Sequence, residues 1–298
     1  MGEQIKDFTN YLMEVRQASQ NTIRAYENDL KKMKSYLRGQ GIEDVSKITE
    51  TNLNSYVLSL EKEGMSPASV SRHIASVSRH IASMKSFMLF LLKKGSINGD
   101  PSERIKAPKV IKKSPQILDE DQIVSLLNQP NTKTTKGIRD KAMLELMYAT
   151  GMKVSEITAI KVSDINLIGS YLTCGDKQER NIPFGSVARK ALEAYMDVRN
   201  DLISNNENEY LFLNSRGQQL SRQGLWKILK GYAKKVGTFD INPNMIRNSF
   251  AAHMIENGAD IGVVQKFLGH TDISNTHIYL TNQNKNSREV YMSTHPRA

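Results

Sequence analysis

The spacing of apolar residues divides the chain into helical and irregular stretches. Phe8, Tyr11, Leu12 and Val15 fall on one face of a helix predicted over 7–15, and Ile23, Tyr26, Leu30, Met33 and Leu37 on one face of a second over 22–37. Leu53, Tyr56, Val57 and Leu60 predict a third helix after Thr49. A fourth contains a tandem repeat, SVSRHIA over 69–75 and again over 76–82. Val70, Ile74, Val77, Ile81, Met84 and Met88 alternate spacings of four and three residues through it, which makes one continuous stripe. Inserting seven residues turns the rest of a helix by only about 20° and lengthens it by roughly 10 Å, so the buried face survives while the reach changes.

The stripe pattern lapses over 98–115, NGDPSERIKAPKVIKKSP, where prolines and a lysine cluster predict a linker. It resumes near Ile117, with Asp119 or Asp121 as a helix cap. Helices are predicted over 136–150, over MKVSEITAI after Gly151, over 189–200 and over 221–235. Strands at 171–174 and 181–183, joined by the turn GDKQER, predict a small hairpin. Met245, Ile246, Phe250, Met254 and Ile255 mark a further helix ending at Gly258, and Asp260 opens another that runs through Val263, Val264 and Phe267 to Gly269. A short segment, 273–279, closes the pattern. The expected architecture is mainly α: a four-helix N-terminal domain (1–97), a linker (98–115) and a C-terminal mixed helical domain (116–298) with a small antiparallel sheet.

Composition narrows the class. Hydrophobic residues make up 39% of the chain, no apolar run approaches the length of a membrane span, and the N-terminus lacks a basic region followed by an apolar block; a cytoplasmic protein without membrane contact is expected. The single cysteine, Cys174, excludes an internal disulfide framework and a multi-cysteine metal site, and reads as a small strand residue. A net charge of +10, with both halves basic, favours a polyanionic partner. Arg72, His73, Arg79 and His80 form paired basic sites on the polar side of the fourth helix, and Arg222 and Gln223 open a helix as candidate readers of DNA bases. Trp226 reads as core.

Chemistry concentrates in NPNMIRNSFAAHMIENGADIGVVQKFLGHTDISNTHIY, residues 242–279. It offers a guanidinium (Arg247), an imidazole (His270) and a phenol (Tyr279): a planar fork for a phosphate, a second donor, and a group able to attack phosphorus. This stretch resembles the active-site half of the tyrosine recombinases, the phage integrase family, in its bacterial Xer type. SQNTIRAYENDL resembles the start of that family's core-binding domain, and the terminal HPRA looks like its XerD branch.

The resemblance implies a SAM-like core-binding domain followed by a catalytic domain of the DNA breaking-rejoining fold. In that family two arginines and a histidine bind the scissile phosphate, a hairpin lysine protonates the leaving 5' oxygen, and a tyrosine attacks to form a 3'-phosphotyrosine, with no metal or nucleotide cofactor. Tyr279 matches the nucleophile, Arg247 the second arginine, His270 the late histidine, and Lys177 the general acid, in a turn shorter than the family's. Two positions depart: Lys153 stands where the family has its first arginine, and Asn244 where it has the first histidine of a His-x-x-Arg pair. Lysine keeps the charge but loses the bidentate fork, and asparagine cannot take up a proton. Glu156, beside the clamp, reads as a structural partner of a nearby base, and Asn248 and His253 as supporting residues.

The partners implied are double-stranded DNA carrying a specific recombination site, a homo- or hetero-tetramer with Xer-type subunits, and a DNA translocase. The tail after Tyr279, with Val290, Tyr291 and Met292, is expected to dock into a neighbouring subunit. Two other readings stand beside recombination: a catalytically impaired Xer paralogue serving as a DNA-binding partner subunit, and a helical DNA-binding regulator sharing only composition.

Overall fold

The computed structural model describes residues 1–62, 70–108, 115–175, 179–203, 208–237, 241–269 and 287–297, with the backbone alone at 70–72 and 287–290. It divides into two units, Met1–Lys113 and Ser114–Ala298.

The first unit is built on four helices: α1 (Gly2–Glu14), α2 (Gln20–Gly39), α3 (Glu50–Lys62) and α4 (Val70–Lys93). Ser19 starts α2 by accepting the Thr22 N–H at 3.1 Å, a local bond that costs little chain entropy to form. The predicted stripes meet in one core around Phe8, Leu30, Met33, Leu37, Leu53, Tyr56, Phe87, Met88 and Leu91, all buried. Val15 departs from expectation: it caps α1 and is exposed. Residues 98–108, expected in the linker, pack on this unit, with Ile105 buried in its core and Ser102 wholly enclosed.

Among the described side chains, the repeat is used unequally. Val77 and Ile81 of the second copy are buried, and its Arg79 is bidentate on the buried carboxylate of Asp29 in α2, at 3.0 and 2.8 Å. His80 is buried between Tyr56, 3.0 Å from its Nδ1, and Asp29, 3.4 Å from its Nε2. The second copy's histidine therefore does not lie on the polar side as its sequence position suggested, and its arginine already holds an acid. At Arg72 only the backbone is described; His73 is half-buried.

The second unit comprises α5 (Glu120–Leu127), α6 (Thr135–Thr150), α7 (Val154–Ala159), strands β1 (Ile165–Asn166), β2 (Tyr171–Cys174) and β3 (Arg180–Pro183), then α8 (Ser186–Arg199), α9 (Arg222–Lys235), α10 (Pro243–Glu256), α11 (Ile261–Leu268) and α12 (Ser287–Thr294). Asp119 caps α5 in a reciprocal box with Gln122. The sheet is antiparallel in the order β1-β2-β3, with Leu172 opposite Ile182 and both fully buried. Strand β1, two residues long, is too short to show period two and was not legible in the sequence. Helix α6 is buried around most of its circumference; even Arg139 and Asp140 are enclosed, paired with each other at 2.7 Å. Trp226 is a correction: Leu225 and Leu229 supply the core face of α9, and Trp226 is 39% exposed with Lys230 Nζ 4.9 Å from its ring centre. None of the helices among the described residues is long and apolar enough to cross a membrane.

Candidate active site

Asn242 starts α10 by accepting the N–H groups of Asn244 and Met245, and Pro243 takes the first turn, where its missing N–H costs nothing. Arg247 follows one turn later with 8% of its surface exposed. Its Nη1 donates to the Gly151 carbonyl and its Nη2 to the Leu268 carbonyl, each at 2.7 Å. These oxygens lie at the C-terminal ends of α6 and α11, where unpaired carbonyls carry partial negative charge. Both helices stop on a left-handed glycine, Gly151 (φ 59°) and Gly269 (φ 61°). At Gly151 a Cβ would also come within 2.4 Å of the Phe250 ring. Burial lowers the pKa of Arg247 to about 10, opposed by the Glu156 carboxylate, so the group stays charged at neutral pH.

The chain leaves Gly151 into α7, whose N-cap is Lys153, an exposed residue. Glu156 reaches back to accept the Lys153 N–H at 2.8 Å through Oε2, and its Oε1 accepts from Arg180 at 3.0 Å, the structural pairing expected of it. Lys153 and Glu156 line a cavity of about 470 Å³ with Thr173, Cys174, Gly175 and Glu179. Burial raises the Cys174 thiol to about 11, which keeps it protonated. Asn244 is exposed in the first turn of α10, three residues before Arg247. His253 is buried with its Nδ1 2.8 Å from the Tyr148 hydroxyl, and Asn248 donates to the Gln116 carbonyl; both are supports.

Lys177, His270 and Tyr279 lie outside the described residues; Gly175, Glu179 and Gly269 are the described residues nearest the first two along the chain. Gly151 and Leu268, the two acceptors of Arg247, each stand two residues before a predicted site position, Lys153 and His270. Arg180, three residues after Lys177, donates to Glu156 and to the Phe267 carbonyl at 2.8 Å. The two arginines thus bring together the hairpin, the corner before α7 and the corner after α11. Arg180 had no signal in the sequence, because its partners are 24 and 87 residues away.

Of the predicted DNA contacts, Arg222 and Gln223 are exposed in the first turn of α9, on a face shared with Trp226, Lys227 and Lys230. Arg79 is half-exposed but bound to Asp29. Tyr291, expected to reach a neighbour, is instead enclosed in its own unit, its hydroxyl accepting the Gly185 N–H at 3.1 Å.

Residues 116–286 match the phage integrase family, and residues 5–95 match the phage integrase N-terminal SAM-like domain. Among characterised sequences, the tyrosine recombinase XerD of Listeria monocytogenes is 39% identical over the full length of both chains, and that of Oceanobacillus iheyensis is 40% identical, covering 99% of this chain and 98% of its own. Among solved structures, the Tn1549 transposon integrase in complex with circular intermediate DNA superposes with a TM-score of 0.72 over 97% of this chain and 98% of its own; at 14% identity it speaks for the fold alone. With both domain types matched in order and Xer relatives aligned end to end, the chain belongs to the phage integrase family, among the Xer-type tyrosine recombinases.

Proposed function

We propose that this recombinase cuts and rejoins DNA at a specific site through a covalent bond between phosphorus and Tyr279. The observation that carries the reading is Arg247: a buried guanidinium, pinned by two carbonyls, that ties the Lys153 corner to the corner preceding His270. A donor held this way needs no reorganisation when charge develops on a phosphate, which is the condition for electrostatic stabilisation of a transition state.

In the proposed step the Tyr279 phenol releases its proton to water, its oxygen bonds to phosphorus, the bond to the 5' oxygen breaks, and that oxygen takes a proton from Lys177. Arg247, His270 and Lys153 donate to the non-bridging oxygens, and Asn244 supplies a hydrogen bond without proton transfer. The bond energy is kept in the phosphotyrosine, so a new 5' hydroxyl can reverse the reaction. Exposed Arg222, Gln223, Trp226, Lys227 and Lys230 on α9 offer a basic, partly aromatic face to the duplex. Relatives of known structure include a lambda integrase tetramer bound to a Holliday junction, and we extend assembly on DNA to this chain, with four Xer-type subunits at a site. The full-length Xer match favours this reading over that of a non-catalytic subunit, which rests on Lys153 and Asn244 alone.

A duplex carrying a nick near the cleavage position traps the intermediate. Wild-type protein is expected to give an adduct that survives denaturation, and Tyr279→Phe is expected to give none. Specific DNA binding without any adduct from the wild-type chain would sink the reading.

A further inference from the structure

Arg180 opens β3, three residues after Lys177, and its side chain is 15% exposed. Its fork spans two elements: Nε donates to the Phe267 carbonyl near the end of α11, at 2.8 Å, and Nη2 to Glu156 Oε1 in α7, at 3.0 Å. The guanidinium also lies against Gly269, where a Cβ would come within 2.8 Å of Cζ and of Nη1. Arg180 therefore sets both the hydrogen bonding and the free space at the corner from which the chain runs on to His270. On the other side, the second oxygen of Glu156 holds the Lys153 N–H at 2.8 Å. Arg180, with Glu156 as intermediary, thus links the hairpin, the N-cap of α7 and the end of α11.

We propose that Arg180 is a positioning residue for strand cleavage, acting through Glu156 and the Gly269 corner; the inference rests on the recombinase mechanism above. A lysine could pair with Glu156, but a single ammonium cannot span a carboxylate and a carbonyl in one plane as the planar fork does. Misplacement of reacting groups by about 1 Å costs on the order of 10²-fold in rate, which sets the size of the expected effect.

The test uses the full chain and the nicked duplex. Arg180→Lys is expected to slow single-turnover adduct formation at saturating DNA by about 10²-fold. Its affinity for the duplex should stay within about threefold of wild type, because affinity rests on many phosphate contacts elsewhere, and its thermal midpoint should be close to wild type. The imidazole resonances of His270, assigned by comparison with His270→Gln, are expected to move. Gly269→Ala, which pushes a methyl into the guanidinium and also strains a left-handed backbone, should slow cleavage as well, and by a smaller factor in the Arg180→Lys background than alone, as coupled sites do. Wild-type cleavage by Arg180→Lys would overturn the proposal, and so would a rate loss matched by equal losses of affinity and melting temperature. If wild-type protein forms no adduct, the recombinase mechanism fails on its own account. The His270 resonances then still decide: unmoved in Arg180→Lys, they rule the positioning role out.

Discussion

Lys153 and Asn244 are, by resemblance, the residues at which this chain parts from its family's pattern, and the structure places both at exposed positions beside fixed backbone. Lys153 is held by its own N–H on Glu156 and offers a single ammonium, whereas an arginine there would present two parallel donors. Asn244 sits one turn before Arg247, on the side of α10 where a histidine could donate and accept protons. Losing one donor to a developing oxyanion costs roughly 10²- to 10³-fold, and losing a general acid or base about 10²- to 10⁴-fold, with strong non-additivity inside one site. Lys153→Arg combined with Asn244→His is accordingly expected to raise single-turnover cleavage of the nicked duplex by at least about tenfold. Quenched-flow measurement of the adduct checks this, and an unchanged or lower rate would show that the site has adapted to its present pair. The place of Arg247, near a helix start beside a buried stripe, was readable in advance because it lies in a long motif on a predicted helix. Arg180 was not, since a lone arginine beside a turn says nothing of a carbonyl 87 residues further on.

Among the elements, α4 shows how far a pattern can be trusted. The stripe of four-and-three spacings predicted one unbroken helix through both copies of the repeat, and the helix runs unbroken over Val70–Lys93. What the pattern could not say is which copy does the structural work, because the two are identical in sequence. Asp29 and Tyr56 decide it by engaging Arg79 and His80. Removing either copy yields the same chain, in which the remaining arginine and histidine stand five and four residues before the same Met84. Deletion of one heptad is therefore expected to leave the Asp29 and Tyr56 contacts intact and to shorten the helix at its N-terminal end by roughly 10 Å. The thermal midpoint of the deleted chain should stay within a few degrees of wild type, which scanning calorimetry measures; a collapse would mean that the first copy carries core contacts of its own.

For the molecule as a whole, the C-terminal tail is where expectation and structure differ most. Helix α12 packs on α10, Tyr291 is fully enclosed, and His295 stacks on it at 4.9 Å between ring centres. His295 Nε2 donates to the Tyr148 carbonyl at 3.2 Å, while its Nδ1 accepts the Arg297 N–H, a pattern only the neutral ring can make. Arg297 in turn grips Glu145 of α6. Burial, with Arg297 and His253 nearby, lowers the pKa of His295 to about 4 from an ordinary 6.5. Below pH 6.5 the unfolded chain takes up a proton that the folded one refuses, so stability is fully present above that pH and declines as pH falls towards 4. The loss amounts to roughly 3 kcal/mol over the window. Urea titrations of wild type and His295→Gln across pH 4 to 7 should show the decline in the first and a flatter curve in the second; parallel curves would remove His295 as its source.

Periodicity, capping residues and turn glycines determined the helices and the hairpin, while the candidate site residues were named by resemblance to the family's motifs. These depend on contacts within a few positions and on side-chain types that the sequence states outright. The strand β1, the exposure of Trp226, the burial of His80, the retention of 98–108 by the first unit, the role of Arg180 and the docking of the tail were decided only by tertiary structure. Each depends on a partner remote along the chain, and only folding brings that partner within hydrogen-bonding or packing distance.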